Sequence, residues 1–147
     1  MRPILGIDFG HARIGVAVSD ELRMLAHPVE TIPASSAKQA VNRVASLAQE
    51  KNVERIVVGV PKLMSGELGS AAAEVLSFVE AIRKAVRCEV VTWDERLTTV
   101  AAHRALRDAG KKTRATRGYV DQVAAQMILQ GYLDSLPSSE PNAELQP

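Results

Sequence analysis

The sequence predicts an α/β protein built on a five-stranded mixed sheet, three antiparallel strands followed by parallel ones, flanked by helices. Three observations predict it. Early in the chain, short extended runs are joined by turns too brief to hold a helix, which forces antiparallel pairing. From Ser36 onward apolar residues recur at helical rather than strand spacing. Extended runs then alternate with helices, and a crossover helix returns the chain to a parallel strand.

The first strand, Ile4-Leu5-Gly6-Ile7-Asp8-Phe9, carries one carboxylate among apolar residues. A buried ionised carboxylate requires a charge partner or hydrogen bonds. Strand alternation puts Ile4, Gly6 and Asp8 on one face and Leu5, Ile7 and Phe9 on the other. Gly6 then clears space beside Asp8, and Gly10 lets the backbone turn or approach a ligand closely. Arg13 to Ser19 is the second strand, after a tight Gly10-His11-Ala12 turn. The third spans Met24 to Ile32, and Pro28 inside it places it at the sheet edge, because proline cannot donate to a ladder.

Ser36-Ala37-Lys38-Gln39 matches a capping box, followed by Val41, Val44, Ala45 and Ala48 on one helical face. Glu54 to Val60 has the continuous apolar centre of a buried parallel strand. Pro61 to Gly69 is a loop, and a helix starting near Ser70 carries the stripe Val75, Phe78, Val79, Ile82 and Val86. Cys88 to Trp93 is the fifth strand. A helix is expected from Thr98 to Ala109, stopped by Gly110, and a final one from near Val120 to Ser135. Residues 1–136 read as one domain and 137–147 as a flexible C-terminal tail poor in core-forming residues.

At 147 residues the chain is long enough for one domain with a core, and its 46% hydrophobic and 24% charged content marks it as globular rather than disordered. No apolar run approaches the roughly 18 residues of a membrane helix, and no signal peptide is expected ahead of the first strand. A single cysteine, Cys88, excludes an internal disulfide and a multi-cysteine zinc site. These features together lead to the expectation of a cytoplasmic protein. The net charge of +1 decides nothing about nucleic acid, but its distribution does. Arg104, Arg107, Lys111, Lys112, Arg114 and Arg117 face only one nearby acid, Asp108, which makes a patch suited to phosphates.

Ligand chemistry in such sheets gathers beyond the carboxyl ends of the parallel strands. Asp8 ends strand one and Asp94-Glu95 ends strand five. If strand five continues through both acids they point to opposite faces, and spacing does not choose between them. Asp121 shares a helical face with Ala124, Ala125 and Ile128, small enough in part for the helix to press on the sheet. It could equally be a first-turn acid favoured by the helix dipole. Three acids on one edge repel each other unless a cation neutralises them. Oxygen ligands without a His or Cys cluster favour Mg²⁺ or Mn²⁺, and such a site beside a basic patch suits a nucleic-acid phosphodiester.

Four stretches carry a family resemblance: Ile7-Asp8-Phe9-Gly10 with Arg13-Ile14-Gly15-Val16-Ala17; Ile56-Val57-Val58-Gly59-Val60-Pro61; Asp94-Glu95-Arg96-Leu97-Thr98-Thr99; and Val120-Asp121-Gln122-Val123-Ala124-Ala125. In this order they resemble the YqgF (RuvX) family, a bacterial branch of the RNase H-like nucleases related to the RuvC Holliday-junction resolvases. The resemblance implies an RNase H-like fold, and it implies Asp8, Glu95 and Asp121 as catalytic, metal-binding acids, choosing Glu95 over Asp94. It implies processing of the 5′ end of precursor 16S rRNA, with branched DNA as the older alternative substrate in recombination and repair.

Nucleic-acid contacts are expected from Arg13, Lys62, Arg96, Lys111, Lys112, Arg114 and Arg117. The loop after Pro61 departs from the family's usual Leu-Asn-Met-Asp-Gly and reads Lys62-Leu63-Met64-Ser65-Gly66, leaving Lys62 as its phosphate contact. Position 12, usually basic in the family, is Ala12. Two other readings compete with a nuclease: a catalytically weak nucleic-acid-binding module, and a nucleotide phosphatase or kinase. The latter follows from the Asp-Phe-Gly opening, which resembles the phosphate loop of actin-like ATPases, but that architecture needs two such halves.

Overall fold

The computed structural model describes residues 1–10, 12–63, 65–97 and 114–137, with residues 114–119 as backbone course only. The helix expected over Thr98 to Ala109, Lys111 and Lys112, the side chains of Arg114 and Arg117, and the tail from residue 138 lie outside the described residues.

Strands β1 (Ile4–Phe9), β2 (Arg13–Ser19) and β3 (Ala26–Pro33) form the expected meander, followed by α1 (Ala37–Glu50), β4 (Arg55–Val60), α2 (Ser70–Ala85), β5 (Glu89–Asp94), a 3₁₀ turn (Glu95–Leu97) and α3 (Arg114–Ser135). The sheet order is β3-β2-β1-β4-β5, with β1 antiparallel to β2 and parallel to β4, and β4 parallel to β5. β3 is an edge strand, as Pro28 requires, and its pairing with β2 slips between Val16 and Ala17, next to that proline.

Side-chain alternation divides the sheet into two apolar faces. Leu5 and Ile7 of β1, Ile14 and Val16 of β2 and Ile56 and Val58 of β4 pack under α1 and α2. Ile4, Ala17 and Val57 face the other way, onto Ala124, Ala125, Ile128 and Leu129 of α3. The result is a helix–sheet–helix sandwich. The Ser36 hydroxyl caps α1 by accepting from the Gln39 amide at 3.2 Å, as the capping pattern foretells.

Glycines set how closely α3 sits. A Cβ on Gly6 would lie 2.7 Å from Leu129 Cβ, one on Gly15 only 1.9 Å from the Asp121 carbonyl oxygen, and one on Gly59 2.5 Å from Ile128 Cδ1. These three residues lie on adjacent strands and form a seam into which the helix settles. The space that Gly6 clears is therefore filled by α3. Gly10 serves the hairpin, since a Cβ there would meet the Arg13 carbonyl oxygen at 2.7 Å.

α3 also secures the edge of the sheet. Gln130 accepts from the Ala26 amide at 2.9 Å and donates to the Met24 carbonyl at 2.9 Å, and Gln126 donates to the Ala26 carbonyl at 2.8 Å. Gln122 reaches the Thr31 hydroxyl at 3.1 Å. Spaced four apart, these glutamines line the helix face beside β3 and satisfy polar groups that an edge strand otherwise leaves open. Among the described residues, no helix is long and apolar enough to cross a membrane.

Candidate active site

Among the described residues three acids are buried: Asp8, Glu95 and Asp121, each 2–3% exposed. Each reaches the same region by a different route. Asp8 is the penultimate residue of β1, on the α3 face, opposite Gly15 of β2. Asp121 rides on α3 with its backbone directly over Gly15. Glu95 follows β5 immediately, and a Cβ on Gly59 would lie 2.9 Å from its Oε2. Gly59 comes one residue beyond Val58, which pairs with Ile7, so Gly59 is level with Asp8. The two other acids thus flank Asp8 over its two neighbouring strands, each about 4.8 Å away.

This arrangement corrects the sequence reading at two points. α3 starts at Arg114, not near Val120, so Asp121 lies in the helix interior rather than at its N-cap or first turn. The helix dipole therefore does not explain it, and close packing on Gly15 does. β5 ends at Asp94, and the chain turns into the 3₁₀ segment at Glu95. The turn separates the two acids by environment: Glu95 is buried, while Asp94 is bound by Arg96. Arg96 donates to Asp94 from its backbone N–H at 3.0 Å and from its guanidinium at 2.8 Å, and Lys62 Nζ stands 3.8 Å from the same carboxylate. The Arg96 hydrogen bond, chiefly, holds the Asp94 carboxyl below its usual range.

Arg13, expected to contact nucleic acid, is bonded to one of the three acids. Strand alternation carries it to the Asp8 face, where its Nε donates to Asp121 Oδ2 at 2.6 Å. Sequence reasoning missed this pair, although strand alternation puts Arg13 and Gly15 on the same face of the hairpin as Asp8. Lys62 and Arg96 lie together at the rim, joined through Asp94, with a Cβ on Gly66 falling 3.4 Å from Arg96 Nη1. Gly66 has φ +88°, a conformation that glycine adopts without strain. A cavity of about 940 Å³, lined in part by Arg2, Asn52, Val53 and Cys88, opens where the strands begin, at the end opposite the acids.

The donor set, three buried carboxylates, is of the kind a hard cation accepts. Among the described residues, though, no three His, Cys, Asp or Glu side chains already stand close enough to hold an ion.

With this geometry in hand, comparison with known proteins is decisive. The family described as "RuvX: Holliday junction resolvase" matches residues 2–135. The chain belongs to the RuvX family. A relative from Chloroflexus aggregans named "Putative pre-16S rRNA nuclease" is 47% identical over 132 residues, spanning 90% of this chain and 93% of the relative. A relative of the same name from Clostridium tetani is 43% identical over 133 residues, spanning 90% of this chain and 96% of that one. Among solved structures, Thermus thermophilus RuvC in complex with a Holliday junction substrate is similar with a TM-score of 0.54 at 18% identity, covering 90% of this chain and 94% of that one. The fowlpox virus Holliday junction resolvase is similar at 0.52 and 14% identity, covering 91% of this chain and 99% of that one. The sheet order and these likenesses establish the RNase H-like fold of this RuvX protein.

Proposed function

We propose that this RuvX protein is a metal-dependent endonuclease that hydrolyses phosphodiester bonds in 5′-end maturation of precursor 16S rRNA. The observation that carries the reading is the burial of Asp8, Glu95 and Asp121 around one sheet edge. Carboxylates gathered in one buried region repel one another, and a shared divalent cation relieves that repulsion. The reaction class goes with membership of a nuclease family, and the rRNA substrate with the names of relatives above 40% identity over nine-tenths of the chain. An rRNA substrate places the work in the cytoplasm.

Asp8, Glu95 and Asp121 are the proposed ligands of Mg²⁺ or Mn²⁺. A divalent cation bound there supplies Lewis-acid stabilisation of the phosphodiester oxygens. The chain's own contribution is positional. The glycine seam fixes α3 and hence Asp121 against the sheet. The turn after Asp94 buries Glu95, and Asp94 holds Arg96 and Lys62 at the rim as phosphate-binding cations. Lys111, Lys112, Arg114 and Arg117, the basic run that precedes Asp121 in the sequence, are proposed as further phosphate contacts, with the salt dependence typical of them.

Resolution of branched DNA is the second reading, favoured by the family's own description and by the fold shared with junction resolvases. A side-by-side assay separates the two. With Mg²⁺ or Mn²⁺, a precursor 16S fragment should be cut near its mature 5′ end while a synthetic four-way junction stays intact. Junction cleavage with intact precursor would transfer the assignment to DNA.

A further inference from the structure

Asp121 already has a cation. The Arg13 Nε–Asp121 Oδ2 bond of 2.6 Å joins a carboxylate side chain 4% exposed to an arginine side chain 32% exposed. We propose that Arg13 is a resident counter-ion, a positioning residue that holds Asp121 in the metal-free protein and is displaced when a divalent cation enters the carboxylate cluster. The proposal rests on the metal-dependent reading above and names how this chain manages its acids without the metal.

Three features of the site carry it. Buried carboxylates repel one another, and a guanidinium relieves that repulsion permanently because it does not lose its proton at physiological pH. A divalent ion on the same carboxylate would face the positive guanidinium at close range, so the two compete. Finally, the acids do not stand close enough to hold an ion as they are, and Asp121 is bound to a partner outside the cluster. The α3 backbone is seated directly on Gly15. The adjustment falls to the Asp121 side chain, while Arg13, one-third exposed, can swing toward solvent.

Titration calorimetry with Mn²⁺ alone, without nucleic acid, tests this on the full chain. Arg13→Gln should bind Mn²⁺ about tenfold more tightly than wild type, the coupling expected of one displaced charge–charge contact. Arg13→Lys, which keeps the charge, should stay near wild type. Metal-free Arg13→Gln should also melt earlier than wild type and gain more in Tm from Mn²⁺. In the wild type, the Arg13 Nε–H resonance should be protected in the metal-free protein and lose that protection as Mg²⁺ is added.

Weaker Mn²⁺ binding by Arg13→Gln would overturn the proposal, because Arg13 would then be orienting Asp121 for the ion rather than competing with it. An Nε–H signal unchanged at saturating Mg²⁺ would do the same, and it needs no variant to fold. Equal Mn²⁺ binding by wild type and Arg13→Gln would defeat the counter-ion role and leave the nuclease reading standing. No Mn²⁺ binding by any form would remove both.

Discussion

Replacing Gly15 by alanine is expected to destabilise the protein by about 3 kcal/mol or more, the upper end of overpacking costs. For a chain of this size that is a fall of about 10 °C in Tm. The reason is specific. The new Cβ would lie 1.9 Å from the Asp121 carbonyl oxygen and 2.4 Å from its carbon, so backbone meets backbone and no side-chain rotation relieves the overlap. Either the sheet bends or α3 lifts, and lifting α3 carries Asp121 away from Asp8 and Glu95. Activity should fall further than stability alone explains. Gly69→Ala is the natural comparison: its Cβ would find only Leu63 atoms at 3.6 Å or more, an ordinary contact, and its effect should be slight. Thermal melts of the two variants check the contrast, and equal Tm values would show that the seam under α3 is not tight.

Glu95→Gln should have a large effect on activity, and Asp94→Asn, at the neighbouring position, a much smaller one. Glu95 is 3% exposed with its Oε2 over Gly59, so the change removes a buried negative charge from the proposed ligand set at nearly constant shape. Loss of cleavage by about a hundredfold or more is expected, corresponding to several kcal/mol of transition-state stabilisation. Asp94 touches only the rim cations in this scheme: it receives Arg96 at 2.8 Å and faces Lys62 at 3.8 Å. Asp94→Asn should loosen both and raise KM several-fold while leaving kcat largely unchanged. Steady-state kinetics on one RNA substrate distinguish the two effects. A larger loss of kcat in Asp94→Asn than in Glu95→Gln would reverse the roles.

Much of this fold was legible because its signals are local. The Arg13–Ser19 strand, the Ser36 cap, the Pro28 edge and the βα alternation each follow from a few neighbouring residues, and the strand order agrees with them. Features depending on contact between distant segments were not legible. Gly6 and Gly15 resemble any other strand glycines until α3 is laid across them. The Arg13–Asp121 bond spans 108 positions in the chain, and no spacing rule reaches that far. The choice between Asp94 and Glu95 rested on family resemblance, because alternation assumed a strand that the chain abandons at Glu95. The expected start of α3 falls late because the basic run before Val120 reads as a loop, whereas the helix already begins at Arg114.

In the proposed function Asp8, with Glu95 and Asp121, forms a cation-dependent phosphodiester-cleaving site. Its most direct test is cleavage of a precursor 16S fragment by wild type and Asp8→Asn in Mg²⁺ or Mn²⁺, with binding of the same fragment measured alongside. Asp8→Asn preserves the size of the side chain at a 2%-exposed position while removing its charge. The account predicts cleavage by wild type, none by Asp8→Asn, and undiminished binding by both. Cleavage by Asp8→Asn at the wild-type rate would contradict it.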